Sequence, residues 1–204
     1  MNLIDSAKDI REACRLTNDL ATRLRIQGNM KKAIEILSSV VETENDPAEI
    51  EELALSALKL AIYLDEIGPN PFTEPLLKRV ADAEHGPGSL HIVTVDQACQ
   101  RYSAFLVEAG RLAESKEYGI RHNALAEMMG DPFLFVRSCF NVVTDCHELG
   151  QEEEAEEWFV LGMANLKDGI GVGPMGQIPP NLQQELIVHS HSVSVLIGRE
   201  EEWE

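Results

Sequence analysis

The sequence predicts an all-α protein: a right-handed solenoid of antiparallel helix pairs, about four and a half repeats long. Three observations carry this. Gly28, Gly68, Gly110 and Gly150 recur at spacings of 40, 42 and 40 residues, and Gly198 follows after 48. The residue five places past each of the first four is small: Ala33, Thr73, Ser115 and Ala155. Asp46-Pro47, Asn70-Pro71 and Asp131-Pro132 each set a capping side chain before a proline suited to the first helical position. A glycine just past a helix accepts the left-handed conformation that lets the chain reverse. A small residue one turn into the next helix lets the two backbones approach. One such pair cannot bury its apolar face alone, so the pairs stack.

The elements follow from that register. A first helix over 5–27 places Leu20, Ala21 and Leu24 on one face ahead of Gly28. Its partner, 29–44, carries Ala33 and Leu37. The second pair is 47–67, with Leu60, Ala61 and Leu64 before Gly68, and 71–84, with Thr73 and Leu77. The third is 91–109, with Tyr102, Ser103 and Leu106, and 111–129, with Ser115. The fourth is 132–149, with Val142, Val143 and Cys146, and 151–167, with Ala155 and Phe159. A Gly/Pro-rich loop over 168–180 explains the longer interval to Gly198. The last helix, 181–197, contains a β-branched run at 190–197 that resembles a strand, but its place in the repeat makes it helical. All of 1–204 reads as one domain. Residues 198–204 read as a turn and the start of another second helix. An unpaired helix over 182–197 leaves its outer face uncovered, so the chain is expected to be a fragment, and that face leaves room for a homo-oligomer.

Composition narrows the function. The 204 residues hold 17 Lys+Arg against 35 Asp+Glu, a net charge of −18. That argues against nucleic acid, which needs clustered cations, and against docking on anionic membranes. The deficit is uneven: residues 1–40 hold 7 basic and 5 acidic side chains, residues 41–204 hold 10 and 30. No stretch approaches the roughly 18 uninterrupted apolar residues of a spanning helix. Residues 1–10 have no apolar run of a leader, and there is no glycosylation sequon. Cys14, Cys99, Cys139 and Cys146 form no C-x-x-C and read as reduced core residues. Together these points lead to an expectation of a cytoplasmic protein.

Chemical motifs are weak. Gly171-Val172-Gly173-Pro174-Met175-Gly176 spells G-x-G-x-x-G, but a helix precedes it and prolines follow, so it reads as a loop. His189 and His191 point about 200° apart on a helix and cannot share an ion. Cys139 and Cys146 share a face without two further ligands at short spacing. Acidic runs such as Glu152-Glu153-Glu154 and Glu156-Glu157 suit helix starts and a solvated face. The expectation is therefore no catalytic residue, no metal and no cofactor.

The turn glycines, the small residues and the apolar positions around them make the chain resemble the tetratricopeptide repeat family. Gly150, Ala155 and Phe159 match best, then Ala21, Leu24, Gly28, Ala33 and Leu37. The family repeat is about 34 residues, so the helices here are about a turn longer. The family's early Trp is absent, and Gly119 stands where it has an aromatic. The resemblance implies binding of a protein or peptide in a concave groove lined by the first helix of each pair. It places groove residues 13, 10, 9, 6 and 3 places before each turn glycine. These are Arg15, Asn18, Asp19, Thr22 and Arg25, then Leu55, Leu58, Lys59, Ile62 and Asp65. Next come Gln97, Gln100, Arg101, Ala104 and Val107, then Arg137, Phe140, Asn141, Thr144 and His147. A partial fifth set is Glu185, Val188, His189, Ser192 and Val195. Five of these 25 are basic and three acidic, against the trend of the whole chain. Leu55, Leu58, Ile62 and Phe140 form an apolar strip. The implied partner is a protein or peptide segment bearing carboxylates and a few apolar anchors. Some family members clamp a terminal carboxylate. Of the aligned Asn18, Thr22, Lys59, Gln97 and Arg101, only Arg101 has the expected type. Two other readings stay open: a ligand-sensing domain controlling an output module, and an all-helical enzyme without a recognisable motif.

Overall fold

The computed structural model describes residues 10–43, 45–170 and 176–199. Among these residues nine α-helices follow one another. They are α1 (Ile10–Ile26), α2 (Met30–Val41), α3 (Glu51–Ile67), α4 (Thr73–Ala81) and α5 (Ile92–Glu108), then α6 (Leu112–Met129), α7 (Pro132–Glu148), α8 (Glu152–Ile170) and α9 (Pro180–Leu196). The expected helix starts at 5–9, the glycine-rich stretch at 171–175 and the segment 200–204 lie outside the described residues. So does Glu44, at the end of the second expected helix.

Helix starts divide into two kinds. Asp131 is a true cap: its Oδ1 accepts from Leu134 N at 3.0 Å, with Pro132 at the first helical position. Asp46-Pro47 instead forms a separate turn. Asp46 accepts from Ala48 N at 2.9 Å through its side chain and from Glu49 N at 3.0 Å through its carbonyl, and α3 begins only at Glu51. Asn70 likewise caps a turn, through Phe72 N, ahead of α4. At helix ends the glycine rule holds at Gly28 and Gly150 but not at Gly68, whose φ is +125° and ψ 179° and which Pro69 follows. Gly28 and Gly150 adopt φ of +77° and +70°. The residue after each reaches back, Asn29 N to Leu24 O at 2.8 Å and Gln151 N to Cys146 O at 2.9 Å.

Contacts divide the chain into two units, Met1–Tyr102 and Ser103–Glu204. In the first, α1 packs on α2, α2 on α3 and α3 on α4, and α1 also reaches α3. The core gathers Ala21, Leu24, Ala33, Leu37, Leu60, Tyr63 and Leu64. The start of α5 is tied back to α3: His91 N donates to Glu51 Oε2 at 2.8 Å, and the Thr94 hydroxyl donates to Glu51 Oε1.

In the second unit α6 packs on α7, α7 on α8, and α9 lies against both α7 and α8. Its core includes Val136, Phe140, Val143, Phe159, Leu166, Ile178 and Leu186. Two close approaches need glycine. A Cβ at Gly162 would lie 2.7 Å from Phe140 Cε1, and one at Gly169 would lie 2.5 Å from Ile178 Cδ1. The second contact corrects the expected loop. Helix α8 runs on to Ile170, and Ile178 N donates to Gly169 O at 2.9 Å, so part of 168–180 is helical and part is pinned to the core. The β-branched 190–197 run is helical through Leu196. The four small residues after the turn glycines, Ala33, Thr73, Ser115 and Ala155, are all buried.

Candidate protein-binding face

In the first unit the outward stripe of α1 at Arg11, Arg15, Asn18, Thr22 and Arg25 recurs every three or four residues, so it forms one face. Helix α3 supplies the opposing rail. Asn18 Nδ2 donates to Ser56 Oγ at 3.0 Å, and Lys59 Nζ donates to Asn18 O at 3.1 Å and to Thr22 Oγ1 at 2.9 Å. Arg25 pairs with Glu66, Nη2 to Oε1 at 2.5 Å, and its guanidinium lies 5.2 Å from the Tyr63 ring centre. Arg11 Nε stands 4.0 Å from Glu52 Oε2. Thus Asn18, Thr22 and Lys59, three of the expected groove residues, are in direct contact.

The electrostatics of this face are uneven. Arg25 is neutralised by Glu66. Lys59 rests on a carbonyl and a hydroxyl, both uncharged. Burial lowers its ammonium below the usual lysine range, and the nearby Asp19 carboxylate pulls the other way. Arg15 is exposed and makes no ion pair among the described residues. The same is true of Arg101 on α5, beside exposed Gln97 and half-buried Gln100. Leu55 is exposed and Ile62 half-buried, so two of the apolar strip remain accessible beside Lys59. Leu58 is buried and takes no part in the surface.

In the second unit Arg137 lies 5.9 Å from the Phe133 ring centre and 4.0 Å from Glu185 Oε1 of α9. Phe140 is fully buried, tilted against Phe159 at 6.2 Å and edge-on to His189 at 5.6 Å between ring centres. It is a core residue, because the missing side chain at Gly162 leaves its ring a place to enter. Burial lowers the His189 imidazole, and Arg137 adds to the effect while Glu185 opposes it. His191 is exposed. Asn141 is half-buried, Thr144 donates to its own helix at Phe140 O over 3.2 Å, and His147 Nδ1 stands 3.2 Å from Glu152 Oε2. Arg137, Asn141, Thr144 and His147 thus keep some exposure on the α7 face, whereas Phe140, on the same stripe, is covered by Phe159 and His189.

The sequence reading missed Ser56, Tyr63, Glu66 and Phe133, which hold the expected residues in place. One signal was available. Arg25 and Glu66 stand three and two places before their glycines, neighbouring register positions with opposite charge. Among the described residues no three His, Cys, Asp or Glu side chains gather as a metal site, and no helix is long and apolar enough to cross a membrane.

No protein-family model and no curated protein sequence matches the chain. Solved structures do. Two crystal structures of nearly identical TPR-like repeats assigned to a kinesin light chain of Podosopora anserina align with it, one of them a glutamine-to-methionine variant. Each gives a TM-score of 0.70 at 16% identity, over 96% of this chain and 92% of that one. At that identity the likeness shows the fold. The chain is built of sequentially paired helices in the manner of tetratricopeptide-like repeats.

Proposed function

We propose that this protein is a non-enzymatic, protein-binding module, and that the first unit takes an acidic segment of a partner along the face formed by α1, α3 and the part of α5 that reaches Arg101. The observation that carries this reading is Lys59. Its ammonium is partly withdrawn from water and held by neutral oxygens, beside the ion-pair-free Arg15. An incoming carboxylate would replace lost solvation without breaking an existing ion pair. Leu55 and Ile62 on the same stripe offer apolar area for anchors, and Arg101 extends the positive side. The fold supports the reading too, since repeat arrays of this kind present long surfaces suited to extended partners.

The test is a titration of fluorescent acidic peptides with interspersed Leu or Ile against the wild type and the Arg15→Glu and Arg101→Glu variants. Each reversal is expected to weaken an acidic peptide roughly tenfold, on the order of 1.4 kcal/mol, and to leave basic peptides no weaker. Unchanged affinity for every peptide would remove the first unit as the binding face.

A further inference from the structure

The second unit contains a buried carboxylate with no part in the proposed recognition. Asp145 on α7 is 5% exposed. Its Oδ2 accepts from Ser115 Oγ of α6 at 2.8 Å, and Ser115 Oγ lies 3.0 Å from Ser103 Oγ near the end of α5. A hydroxyl has one proton to donate, and an ionised carboxylate has none. While Asp145 is charged, Ser115 donates to it and Ser103 donates to Ser115. The charged groups around it come from three helices. Lys116 on α6 donates from Nζ to Glu154 Oε2 of α8 and to Gln151 Oε1, both at 2.9 Å. Cys146 and Glu148 stand on α7 itself. Burial pushes the Asp145 carboxyl above the usual carboxylate range and Glu148 adds to this, while the Ser115 hydrogen bond and Lys116 pull it back.

We propose that Asp145, Ser115 and Ser103 form a reversible hydrogen-bond chain whose direction is set by one proton on Asp145, and that it holds α6 and α7 more tightly in acid. One proton arrives from solvent at the Asp145 carboxylate. The new O–H donates to Ser115 Oγ, Ser115 turns its own proton to Ser103 Oγ, and the half-buried Ser103 turns its proton away from Ser115. Lys116 stays on Glu154. The gain has a plain origin: a buried charge with one direct hydrogen bond becomes a neutral donor in an intact chain. The sign follows from linkage. A folded-state value raised above the unfolded one gives stability that is complete below the unfolded value and lost as pH rises through the folded one.

The test uses the full chain, with carbon-detected titration of its aspartate carboxyls. Asp145 is expected to titrate above the ordinary aspartate range, and higher still in Ser115→Ala and in Lys116→Met. In urea unfolding, the Asp145→Asn midpoint is expected to gain on the wild type as pH rises from acid to neutral. An Asp145 titration inside or below the ordinary range would overturn the proposal. So would an unmoved Asp145 in Ser115→Ala, or a difference between Asp145→Asn and wild type that ignores pH. Should Asp145→Asn fail to fold, the titrations of wild type and Ser115→Ala decide the question alone.

Discussion

At the residue scale, Lys59, placed in the proposed binding face, and Gly162, placed in the core, call for opposite tests. Lys59 donates to Asn18 O, but Thr22 Oγ1 donates to that same carbonyl at 2.8 Å. Removing the ammonium therefore orphans no buried acceptor, and it ends a desolvation that disfavours the cation. Lys59→Met is expected to leave the urea midpoint unchanged or slightly higher and to weaken acidic peptides roughly tenfold. A large loss of stability would mean that the lysine holds α1 to α3 and is not kept free for a ligand. Gly162 is the opposite case. Alanine would favour the helix by about 1 kcal/mol. Its Cβ, however, would stand 2.7 Å from a Phe140 ring atom and 3.1 Å from Cys139 Cβ. Phe140 is held on its other sides by Phe159 and His189 and has no room to yield. Overpacking of a tight core costs about 1–3 kcal/mol, so Gly162→Ala is expected to lower stability on balance, as thermal or urea unfolding would show. Gly119→Ala meets a single Val142 methyl at 3.1 Å and should cost less.

At the element scale, the same dipeptide does different work in two places. Asp131-Pro132 opens α7 directly, and Asp131→Ala is expected to cost about 1 kcal/mol through the lost cap. Asp46-Pro47 looks identical in sequence but closes a turn, and Asp46 is paired with Arg79 of α4. Alanine there removes the Arg79 pair, exposed on the arginine side, and the Ala48 N bond of a turn that opens no helix, and should cost less than the lost cap. Comparing the two variants by urea unfolding checks the distinction, and equal losses would contradict it. Turn glycines, small second-helix residues and helix order were legible because each is dictated by local backbone geometry. The contact of Asn18 and Thr22 with Lys59 was legible as well, since register alone brings those stripes of α1 and α3 together. Phe140 was not. Its register matches that of Asn18 and Leu58, and its burial is decided by the space at Gly162 of α8 and the ring of His189 of α9. The extension of α8 to Ile170 was hidden for a similar reason. Gly169 reads as a helix breaker until Ile178 is seen to need its bare backbone.

At the scale of the whole molecule, charge sets two opposing dependences on salt. The chain carries −18, and the excess lies beyond residue 40, where 30 acidic side chains face 10 basic ones. Like charges on a compact body repel more than on an expanded chain, so folding works against this field. The Arg11–Glu52, Lys78–Asp82 and Arg111–Glu114 pairs are exposed on both sides, and such pairs contribute little each. Screening should then relieve more repulsion than it removes attraction. The Debye length falls from about 30 Å at 0.01 M to about 8 Å at 0.15 M salt. Over that range the thermal midpoint of the chain is expected to rise. The proposed recognition moves the other way, because an acidic peptide meets Arg15, Lys59 and Arg101 through attractions that the same ions screen, against a background field that already repels it. A rising midpoint with a weakening acidic peptide is thus the expected pair of results. A midpoint that falls with salt would show that paired charges outweigh the net repulsion. Peptide affinity that rises with salt would show that the net negative field, and not the local cations of α1, α3 and α5, governs the approach of a partner.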